Sequence, residues 1–571
     1  MSRAKKLWKV VEEGHENIDN AALRESARAK LYEDKELGCG NFLFKAYELS
    51  PTKTTPFFFL EKPFTTPFGE TFTEFSLETL RAAAKSLAQW YVSHGIGKGA
   101  YVCTYLEDGI PHFMHYLALN SVGAIPVLIN DKMSPAIAAQ YAKENGFETF
   151  VFDPATEART KISIVLSGLR QMNAAEAGKS GDRSLPAGWP VKKVNDDTVM
   201  ICHSSGTTAI PKAVLFKHEQ FFIGKRERLK RFIEEPGDRM LAAMPGSHSA
   251  GISYLMTATM LELPTFVLTE LTGPSVATHI ARFKPTIMNG FPQTWASLAG
   301  QDLPPNALTT LKRFYNTADT AHEAHISKLL RLAPLARFSD GFGASELGMA
   351  LFEKVSRNGA VASRRCVGRP VPFAESIIID TAGNLLPPGQ VGYFAIKSPT
   401  LTHGYHNRLQ LTQLCSFGAY WLTGDVGYKT EEGDFYQLDR GVDVVTTPFG
   451  PLYSLVTEEL LQAIPGVHDV TVIGAERTPM NVHSTVAMVI PAKGRTVDPG
   501  VVLDKLRQLD LFNRDLPAFT LCVAIVADAD KLPTGSTGKV LKRSLRDSFW
   551  RMHRAYTSGD RSTFLDVVWN T

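Results

Sequence analysis

Segments with strand-like and helix-like spacing of apolar residues alternate along much of this sequence. Between residues 75 and 153, the helical pattern of Ser76 to Ile96 is followed by the strand YVCTYL, a helix through HFMHYLALNSVG and the strand AIPVLIN. The helix YAKENG then leads to the strand TFVFD, and a second alternation runs from Val199 to about Ser345. Strands that alternate with helices favour parallel pairing, with the helices packed on the sheet. The sequence therefore predicts an α/β fold built on doubly wound sheets.

The pattern changes twice further along the chain. From about Cys366, the segments VGRPVPFAESIIID, GQVGYFAIKSP and DFYQLDR are typical of short strands joined by turns, as in a small β-barrel. After Arg440, LYSLVTEELLQAI has helical spacing and VHDVTVIGAE has strand character. Because 571 residues exceed the usual size of one domain, we predict two. A large N-terminal domain would cover residues 1–440 and include the barrel, and a smaller α+β domain would cover residues 441–571.

The charge balance argues against a nucleic acid or an anionic membrane as a partner. Lys and Arg together number 61, Asp and Glu 58, so the net charge is only +3. The basic run KRERLKR, from Lys225 to Arg231, is interpreted as the solvated face of a helix. The apolar stretch from Gly251 is interrupted by Glu262 and Pro264, so we expect a buried helix and strand rather than a transmembrane segment.

The cysteines and the N-terminal segment favour a reducing compartment. The cysteines form no C-x-x-C pair and have no His at metal-ligand spacing; they lie at positions 39, 103, 202, 366, 415 and 522. Neither a zinc site nor a disulfide framework is therefore indicated. The segment MSRAKKLWKVVEEGHENIDN lacks the apolar core of a signal peptide. We predict a cytoplasmic protein.

The segment HSSGTTAIPKAVLFKH, from His203 to His218, has the composition of an anion-binding loop. Hydroxyl and backbone N–H groups around a glycine can surround a phosphate, and Lys212 adds charge. A Walker A loop is excluded, because that motif needs Gly-Lys-Ser/Thr in direct succession and Lys212 follows Pro211 here. On this segment alone, an ordinary polar turn between two strands stays an equal alternative.

Four further segments each suggest one chemical role, although each alone also fits an ordinary turn or a solvated loop. In DGFGASELG, Glu346 follows a tight turn and is a candidate Mg²⁺ ligand. In WLTGDVGY, Asp425 stands at a strand end, where it can accept two hydrogen bonds from a ribose diol. KLPTGSTGKVLKRSLR presents Lys539, which can neutralise charge on a phosphoryl or carboxylate oxygen. In MPGSHSAG, His248 is a candidate for lining a substrate pocket.

The order and spacing of these segments are more specific than any one of them. Ser/Thr-Gly-Thr-Thr with Pro-Lys, Pro-x-x-His-x-x-Gly, Gly-aromatic-Gly-x-Ser-Glu, Thr-Gly-Asp, Asp-Arg and Leu-Pro-x-x-x-x-Gly-Lys follow one another within roughly residues 60 to 546. The sequence thereby resembles the adenylate-forming superfamily, which includes acyl- and aryl-CoA synthetases, peptide-synthetase adenylation domains and beetle luciferases. In such enzymes ATP and a carboxylic acid form an acyl-adenylate and pyrophosphate, and a thiol then displaces AMP.

The resemblance implies a role for each matching residue. Catalytic roles would fall on Lys539, which would bridge the acid and the α-phosphate, on Thr207 and Glu346 as magnesium ligands, and on His248 beside the acid. The nucleotide would be bound by Ser204, Ser205, Gly206, Thr208, Lys212, Asp319, Gly341, Phe342, Gly343, Ser345, Asp425 and Arg440. The acid would be bound by His248, Ser249, Gly251, Tyr315, Asn316, Thr317 and Gly341. The expected cofactors are ATP, Mg²⁺ and CoA, and the small C-terminal domain is expected to swing at a hinge within residues 440–443.

Several positions depart from the family's usual pattern. Amino-acid-activating relatives carry an Asp where Ser249 stands, and a buried ammonium without that partner is costly, so a plain carboxylic acid is predicted as substrate. Ala209 and Ala213 stand where the phosphate loop usually has Gly. The segment Ala318-Asp319-Thr320 replaces the usual Gly-Ala/Glu-Pro. These alanines suggest a weakened or specialised nucleotide site.

The sequence predicts an AMP-forming ligase that activates a carboxylic acid and transfers it to a thiol, with CoA as the first choice. One alternative is a stand-alone adenylation protein that loads a carrier-protein phosphopantetheine. Another is a degenerate relative that binds nucleotide or a partner without turnover; the alanines motivate it, while Lys539, Glu346 and Asp425 argue against it. The expected partners are a small carboxylic acid and CoA or a carrier protein, with no nucleic acid.

Overall fold

The computed structural model describes residues 21–176, 184–204, 210–231, 234–235, 237–361, 365–447, 449–477, 482–509, 521–526, 528, 532–535, 540–558 and 565–569. Within these residues the chain alternates strands and helices up to residue 343, continues in mainly antiparallel strands to residue 440, and ends in a second α/β segment. This is the mixed α/β class that the sequence predicts.

The first part of the chain builds a six-stranded sheet. Its elements, together with two strands that join the larger sheet, are α1 (Ala21–Glu33), α2 (Phe42–Leu49), β1 (Phe58–Thr65), β2 (Thr71–Phe75), α3 (Leu77–Ser93), β3 (Tyr101–Leu106), α4 (Ile110–Ser121), β4 (Ile125–Asn130), α5 (Pro135–Glu144), β5 (Thr149–Phe152), α6 (Pro154–Thr160), α7 (Ile162–Val165), β6 (Arg170–Asn173), β7 (Thr198–His203) and β8 (Ala213–Lys217). The strand order is β6-β5-β3-β4-β7-β8, and all pairs are parallel except β7 with β8. The predicted anion-binding loop therefore connects the two strands of an antiparallel pair.

Local signals set the ends of the predicted helix over Ser76 to Ile96. The Oγ of Ser76 accepts a hydrogen bond from the Thr79 N–H at 3.2 Å, and Thr79 Oγ1 accepts one from the Ser76 N–H at 2.8 Å. This reciprocal cap starts α3 at Leu77. Gly95 has a φ of +70°, which stops the helix shortly before it.

The second part of the chain builds a 14-stranded sheet. Its elements are α8 (His218–Arg231), β9 (Met240–Ala243), α9 (Ser249–Leu261), β10 (Thr265–Val267), α10 (Gly273–Phe283), β11 (Ile287–Gly290), α11 (Pro292–Ala299), β12 (Arg313–Asn316), α12 (Glu323–Leu332), β13 (Arg337–Gly343), a 3₁₀ turn (Ser345–Leu347), β14 (Ala350–Arg357), β15 (Cys366–Pro370), β16 (Glu375–Ile379), β17 (Gly392–Lys397), α13 (Leu409–Leu414), β18 (Ser416–Phe417), β19 (Tyr420–Lys429) and β20 (Phe435–Arg440). The order β16-β17-β19-β20-β15-β14-β13-β12-β11-β9-β10-β1-β2 contains a parallel centre from β13 to β1. The strands assigned to a small barrel extend this centre as antiparallel pairs through β14 and β15.

The last part of the chain forms a sheet of its own. Its elements are β21 (Val445–Thr447), β22 (Gly450–Leu452), α14 (Ser454–Gln462), β23 (Val467–Arg477), β24 (Val482–Pro491), α15 (Pro499–Arg507), β25 (Leu521–Val526), α16 (Lys542–Thr557) and β26 (Leu565–Trp569). Among the described residues, the pairing order β23-β24-β25-β26 uses no strand from earlier in the chain, and β21 pairs with β22 alone. Two apolar clusters, one containing Val472 and the other Ile473, lie on this sheet.

The prediction of a buried stretch from Gly251 is confirmed, whereas the prediction of a solvated face for KRERLKR is partly wrong. The stretch from Gly251 is buried helix α9 followed by β10, as predicted. No helix among the described residues is long and apolar enough to cross a membrane. The interpretation of KRERLKR as a solvated face is wrong for Lys225, which is 3% exposed with its Nζ 3.4 Å from the centre of the Phe221 ring, and for Arg228, which lines a cleft. This run lies on α8, which packs against α9.

Candidate active site

A cleft of about 800 Å³ opens at the carboxyl ends of the parallel strands of the large sheet. The loops after β9, β11, β12 and β13 line it, together with Ser204 and Lys212 between β7 and β8, residues of β19 and β20, and the start of α16. Carboxyl ends of parallel strands are a common position for ligand sites. The cleft brings together most of the predicted site residues: Ser204, Lys212, His248, Ser249, Tyr315, Asn316, Thr317, Asp319, Gly341, Phe342, Gly343, Ser345, Glu346, Asp425 and Arg440.

Several predicted residues are not in that set. Ser205, Gly206, Thr207, Thr208 and Lys539, with the neighbouring Ala209, lie outside the described residues. Gly251 is described but does not line the cleft. It lies in the first turns of α9, where a Cβ would be only 2.2 Å from the Pro245 carbonyl oxygen, so its role in the fold is close packing.

The two described ends of the predicted phosphate loop are fixed to each other. The Ser204 N–H donates to the Lys212 carbonyl at 2.8 Å, and the Lys212 N–H donates to Ser204 Oγ at 3.1 Å. The Lys212 ammonium lies 5.0 Å from the centre of the Tyr405 ring and 3.5 Å from its hydroxyl. One cation is therefore held at the mouth of the loop, where an anion would bind.

Glu346 is held beside this loop by the same tyrosine. The Tyr405 hydroxyl donates to Glu346 Oε1 at 2.9 Å, and burial raises the pKa of Tyr405, so the phenol stays protonated. Among the described residues, Glu346 Oε2 makes no hydrogen bond or ion pair, and no group of three or more metal-binding side chains occurs. A single carboxylate beside a phosphate loop fits Mg²⁺, which binds one or two carboxylates together with phosphate oxygens.

Asp425 also lines the cleft, in an arrangement suited to a diol. It is 3% exposed; Gln437 Nε2 donates to its Oδ1 at 2.8 Å, and Arg440 Nε is 3.4 Å from the same oxygen. The Asp425 carboxylate in turn raises the pKa of Arg440, so the guanidinium stays charged. Because both contacts use Oδ1, Oδ2 is left as an acceptor for hydroxyl donors of a ligand.

His248 caps α9 on the side of the cleft away from Asp425. Its Nδ1 accepts the Ala250 N–H at 3.1 Å, and its ring meets the Phe291 ring edge-on at 4.9 Å. Burial lowers the pKa of His248 to about 4, so the imidazole is neutral at pH 7. With Nδ1 accepting, the proton lies on Nε2, which makes His248 a hydrogen-bond donor in the cleft.

The segment after β12 carries a strained residue where the family usually has Gly. Ala318 has a φ of +81°, and its carbonyl accepts the Gly343 N–H at 3.1 Å. Left-handed backbone costs an alanine about 1 kcal/mol relative to glycine. The strain lies in the wall of the cleft, between Thr317 and Asp319.

Replacing Ala318 with Gly is expected to raise the free energy of unfolding by about 0.5–1 kcal/mol, since glycine adopts this φ without strain. Urea denaturation measures the change. Ala277→Gly, in the interior of α10, is the matched control and should lower stability by about 1 kcal/mol. If both variants lose stability equally, residue 318 is not strained.

Buried charges connect the C-terminal segment to the cleft. The Lys542 Nζ lies 2.7 Å from Glu458 Oε1 and donates to Ser454 Oγ at 2.5 Å, and Ser454 Oγ donates to Asp439 Oδ1 at 2.9 Å. Nearby, His322 Nδ1 is 3.0 Å from Glu459 Oε1. Burial alone would lower the pKa of His322, but the Glu459 carboxylate raises it to about 9, so this pair is ionic at neutral pH.

Sequence reasoning missed Tyr405, Gln437, Arg228 and Arg337, all of which line the cleft. Tyr405 follows Gly404, whose φ is +119°, and precedes Asn407, whose φ is +53°, so it lies in a special turn. Gln437 lies on β20 and pairs with Gly427 of β19, and its side chain reaches Asp425 across the register shift between Val426 and Gly427. The two arginines have no signal in their local pattern.

Comparisons with known proteins are consistent with this geometry. The sequence model of the family described as "AMP-binding enzyme" matches residues 61–406. A 3-aminoavenalumate diazotase from Streptomyces sp is 31% identical over 549 residues, covering 91% of this chain and 98% of that protein. A feruloyl-CoA synthase from Amycolatopsis sp is 24% identical over 469 residues, covering 81% of this chain and 91% of that protein. The structure of o-succinylbenzoate coenzyme A synthetase from Bacillus subtilis, in complex with ATP and magnesium ion, has a TM-score of 0.74 at 20% identity and covers 90% of this chain and 100% of that one.

Proposed function

Because this chain belongs to the AMP-binding enzyme family, as the order of its motifs predicted, we propose that it uses Mg-ATP to adenylate a carboxylic acid and transfers the acyl group to CoA. The observation that carries the proposal is the cleft whose lining brings together Lys212, Glu346, Asp425 and Arg440. ATP and magnesium in the similar synthetase structure support the same assignment.

The proposed reaction has two steps. A carboxylate oxygen attacks the α-phosphorus, the bond from that phosphorus to the oxygen bridging to the β-phosphate breaks, and pyrophosphate leaves. The thiolate of CoA then attacks the carbonyl carbon of the acyl-adenylate and AMP leaves. The protein supplies little covalent chemistry in such a displacement, so positioning and charge stabilisation carry the rate enhancement.

Each wall of the cleft has one task in this scheme. The loop between Ser204 and Lys212 holds the leaving phosphates, and Glu346 would hold a Mg²⁺ ion that would supply positive charge beside them. Asp425 binds the ribose hydroxyls. The neutral His248 lies beside the acid, and its Nε2–H is a donor to the reacting carboxylate.

We further propose that the chain works as two domains, residues 1–440 and 441–571, with the hinge at residues 440–443. The sheet made only of β23 to β26 supports this division. The contacts of Lys542 with Glu458 and Ser454 lie within the second unit, whereas Ser454 with Asp439 and His322 with Glu459 cross the boundary. A swing of the small domain would have to break these two contacts across the boundary.

A second candidate function is diazotisation of an aryl amine, favoured by the 31% identity to the 3-aminoavenalumate diazotase over 91% of this chain. Nitrite is an oxyanion and would take the place of the carboxylate: its oxygen attacks the α-phosphorus and pyrophosphate leaves. The amine nitrogen then attacks the nitroso nitrogen, AMP leaves, and loss of water gives the diazo group. The same cleft and the same first bond change serve both candidates.

Pyrophosphate release with Mg-ATP tests the proposal and separates the candidates. The panel contains aryl, fatty and amino acids with and without CoA, and nitrite with and without an aryl amine. The expected result is acid-dependent pyrophosphate release that CoA accelerates. Because Ser249 stands where amino-acid-activating relatives carry an Asp, plain acids should give faster release than α-amino acids. Release that needs nitrite and amine together would establish the second candidate, and no release under any condition would overturn both.

We place the activity in the cytoplasm, in keeping with cysteines that are all free in the structure.

A further inference from the structure

The cleft extends along one face of β13, away from the nucleotide wall. Gly341, Ser339 and Arg337 alternate along this strand and all line the cleft. At about 3.3 Å per residue, Arg337 lies about 13 Å from Gly341 along the strand. On the neighbouring strand, Tyr315 pairs in register with Ser339 and adds an aromatic side chain to the wall. The cleft therefore has a reactive end near Gly341 and a far end near Arg337.

A second guanidinium lies at the aromatic wall of this cleft. Arg228, on α8, stacks over the Tyr254 ring at 4.5 Å, and the Tyr254 ring is 6.2 Å from the Tyr315 ring. Its Nη1 donates to Ser253 Oγ at 2.9 Å and to Thr257 Oγ1 at 3.3 Å. These contacts fix the plane of the guanidinium and use one of its nitrogens. Within the described part of the chain, the Nε and Nη2 groups of Arg228 make no hydrogen bond and are available to a ligand.

Neither arginine is neutralised by the described part of the protein. Arg228 and Arg337 make no ion pair with any Asp or Glu there, and Arg337 Nε is buried without a hydrogen-bond partner. Of the acidic residues in the cleft wall, Glu227 accepts a hydrogen bond from the Tyr32 hydroxyl at 3.3 Å, and Glu353 is exposed. A partly buried guanidinium without a counter-ion is costly, and a carboxylate is the ligand that its planar fork matches.

We infer that the far end of the cleft binds a carboxylate that takes no part in the reaction, held by Arg228 and Arg337 beside the Tyr254 and Tyr315 rings. The inference rests on the proposed function and narrows its substrate class to aromatic molecules with an anionic group at the end opposite the reacting one. For acid activation, the substrate is an aromatic dicarboxylate. For diazotisation, it is an aryl amine whose own carboxylate points away from the adenylate.

Paired substrates with and without the distal charge test this inference. Terephthalate and the longer 1,4-phenylenediacrylate are compared with their monomethyl esters, and 3-aminocinnamate with nitrite is compared with its methyl ester. The readout is kcat/KM for pyrophosphate release. In one of these series the free acid should exceed the ester by about 30-fold or more, the ratio expected for charge-assisted hydrogen bonds to a carboxylate.

Arg228→Gln should bring that ratio to within about threefold by lowering kcat/KM for the free acid and leaving the ester unchanged. Arg228→Lys keeps the charge but loses the planar fork, so an intermediate ratio is expected. Arg337→Gln, which leaves the Ser253 and Thr257 contacts intact, is the independent second variant in case Arg228→Gln does not fold. Arg282→Gln, at an exposed position on α10 outside the cleft wall, is the matched control and should leave the ratio unchanged.

Equal use of acid and ester by the wild-type protein would overturn the inference, as would an acid preference that both Gln variants retain. If no substrate releases pyrophosphate, the proposed function fails, and calorimetric titration with 1,4-phenylenediacrylate decides the inference by itself. Binding that Arg228→Gln weakens by about 30-fold supports the anionic subsite. Absence of binding, or binding that neither Gln variant weakens, rejects it.

Discussion

Replacing Lys539 with Ala is expected to lower acid-dependent pyrophosphate release by about 10²- to 10³-fold, the loss typical of removing one electrostatic contact to the transition state. Lys539 lies outside the described residues, so this expectation rests on the Leu-Pro-x-x-x-x-Gly-Lys resemblance and on Val540 and Lys542, which line the cleft. An ammonium that bridges the carboxylate and the α-phosphate stabilises charge that develops only during the attack. The loss should therefore appear in kcat, with the KM for ATP little changed.

Lys493→Ala is the matched control, since Lys493 is an exposed lysine in the same C-terminal segment and does not line the cleft. It should retain wild-type rates. If Lys539→Ala also retains them, Lys539 is not the cation of the adenylation step.

Replacing Asp425 with Ala is expected to raise the KM for ATP by about 10- to 100-fold, because the ribose loses a charged acceptor for its hydroxyls. The same change leaves Arg440 and the Gln437 amide without their shared partner, and the free energy of unfolding should fall by about 1–3 kcal/mol. Steady-state kinetics over ATP concentration and urea denaturation measure the two effects separately.

Asp434→Ala is the matched control for Asp425→Ala. Asp434 pairs with Arg369 at 2.9 Å in an exposed turn, where an ion pair contributes at most about 1 kcal/mol. Its KM for ATP should equal that of the wild type. An Asp425→Ala protein with an unchanged KM would show that the nucleotide ribose binds elsewhere.

The sequence predicted the parts of this structure that depend on local pattern. Alternating strands and helices predicted the parallel centre of the large sheet, and the helical spacing over Ser76 to Ile96 predicted α3 to within a few residues of its observed bounds. The order of the motifs predicted that Glu346 and Asp425 belong to one site, although they are far apart in sequence and each looked like an ordinary turn residue. The order of the motifs predicts this shared site because the fold of the family brings the corresponding loops together.

The residues that were missed depend on tertiary packing. Arg228 lies in a basic run whose composition is typical of a solvated helix, but α8 packs on α9 and turns this side chain over Tyr254. Arg337 is the first residue of β13, and the charges around it in the sequence do not indicate a binding site. Its place in the cleft follows from the pairing of β13 with β12. Tyr405 reaches Glu346 from a loop that follows β17, a contact between segments 59 positions apart.

The identity of the nucleotide products tests the central claim, attack at the α-phosphorus, most directly. Phosphorus NMR of a reaction containing Mg-ATP and the substrates that release pyrophosphate should show AMP and pyrophosphate in equal amounts, and none without the acid or nitrite. Formation of ADP and inorganic phosphate would place the attack at the γ-phosphorus and contradict the adenylation chemistry assigned to this cleft.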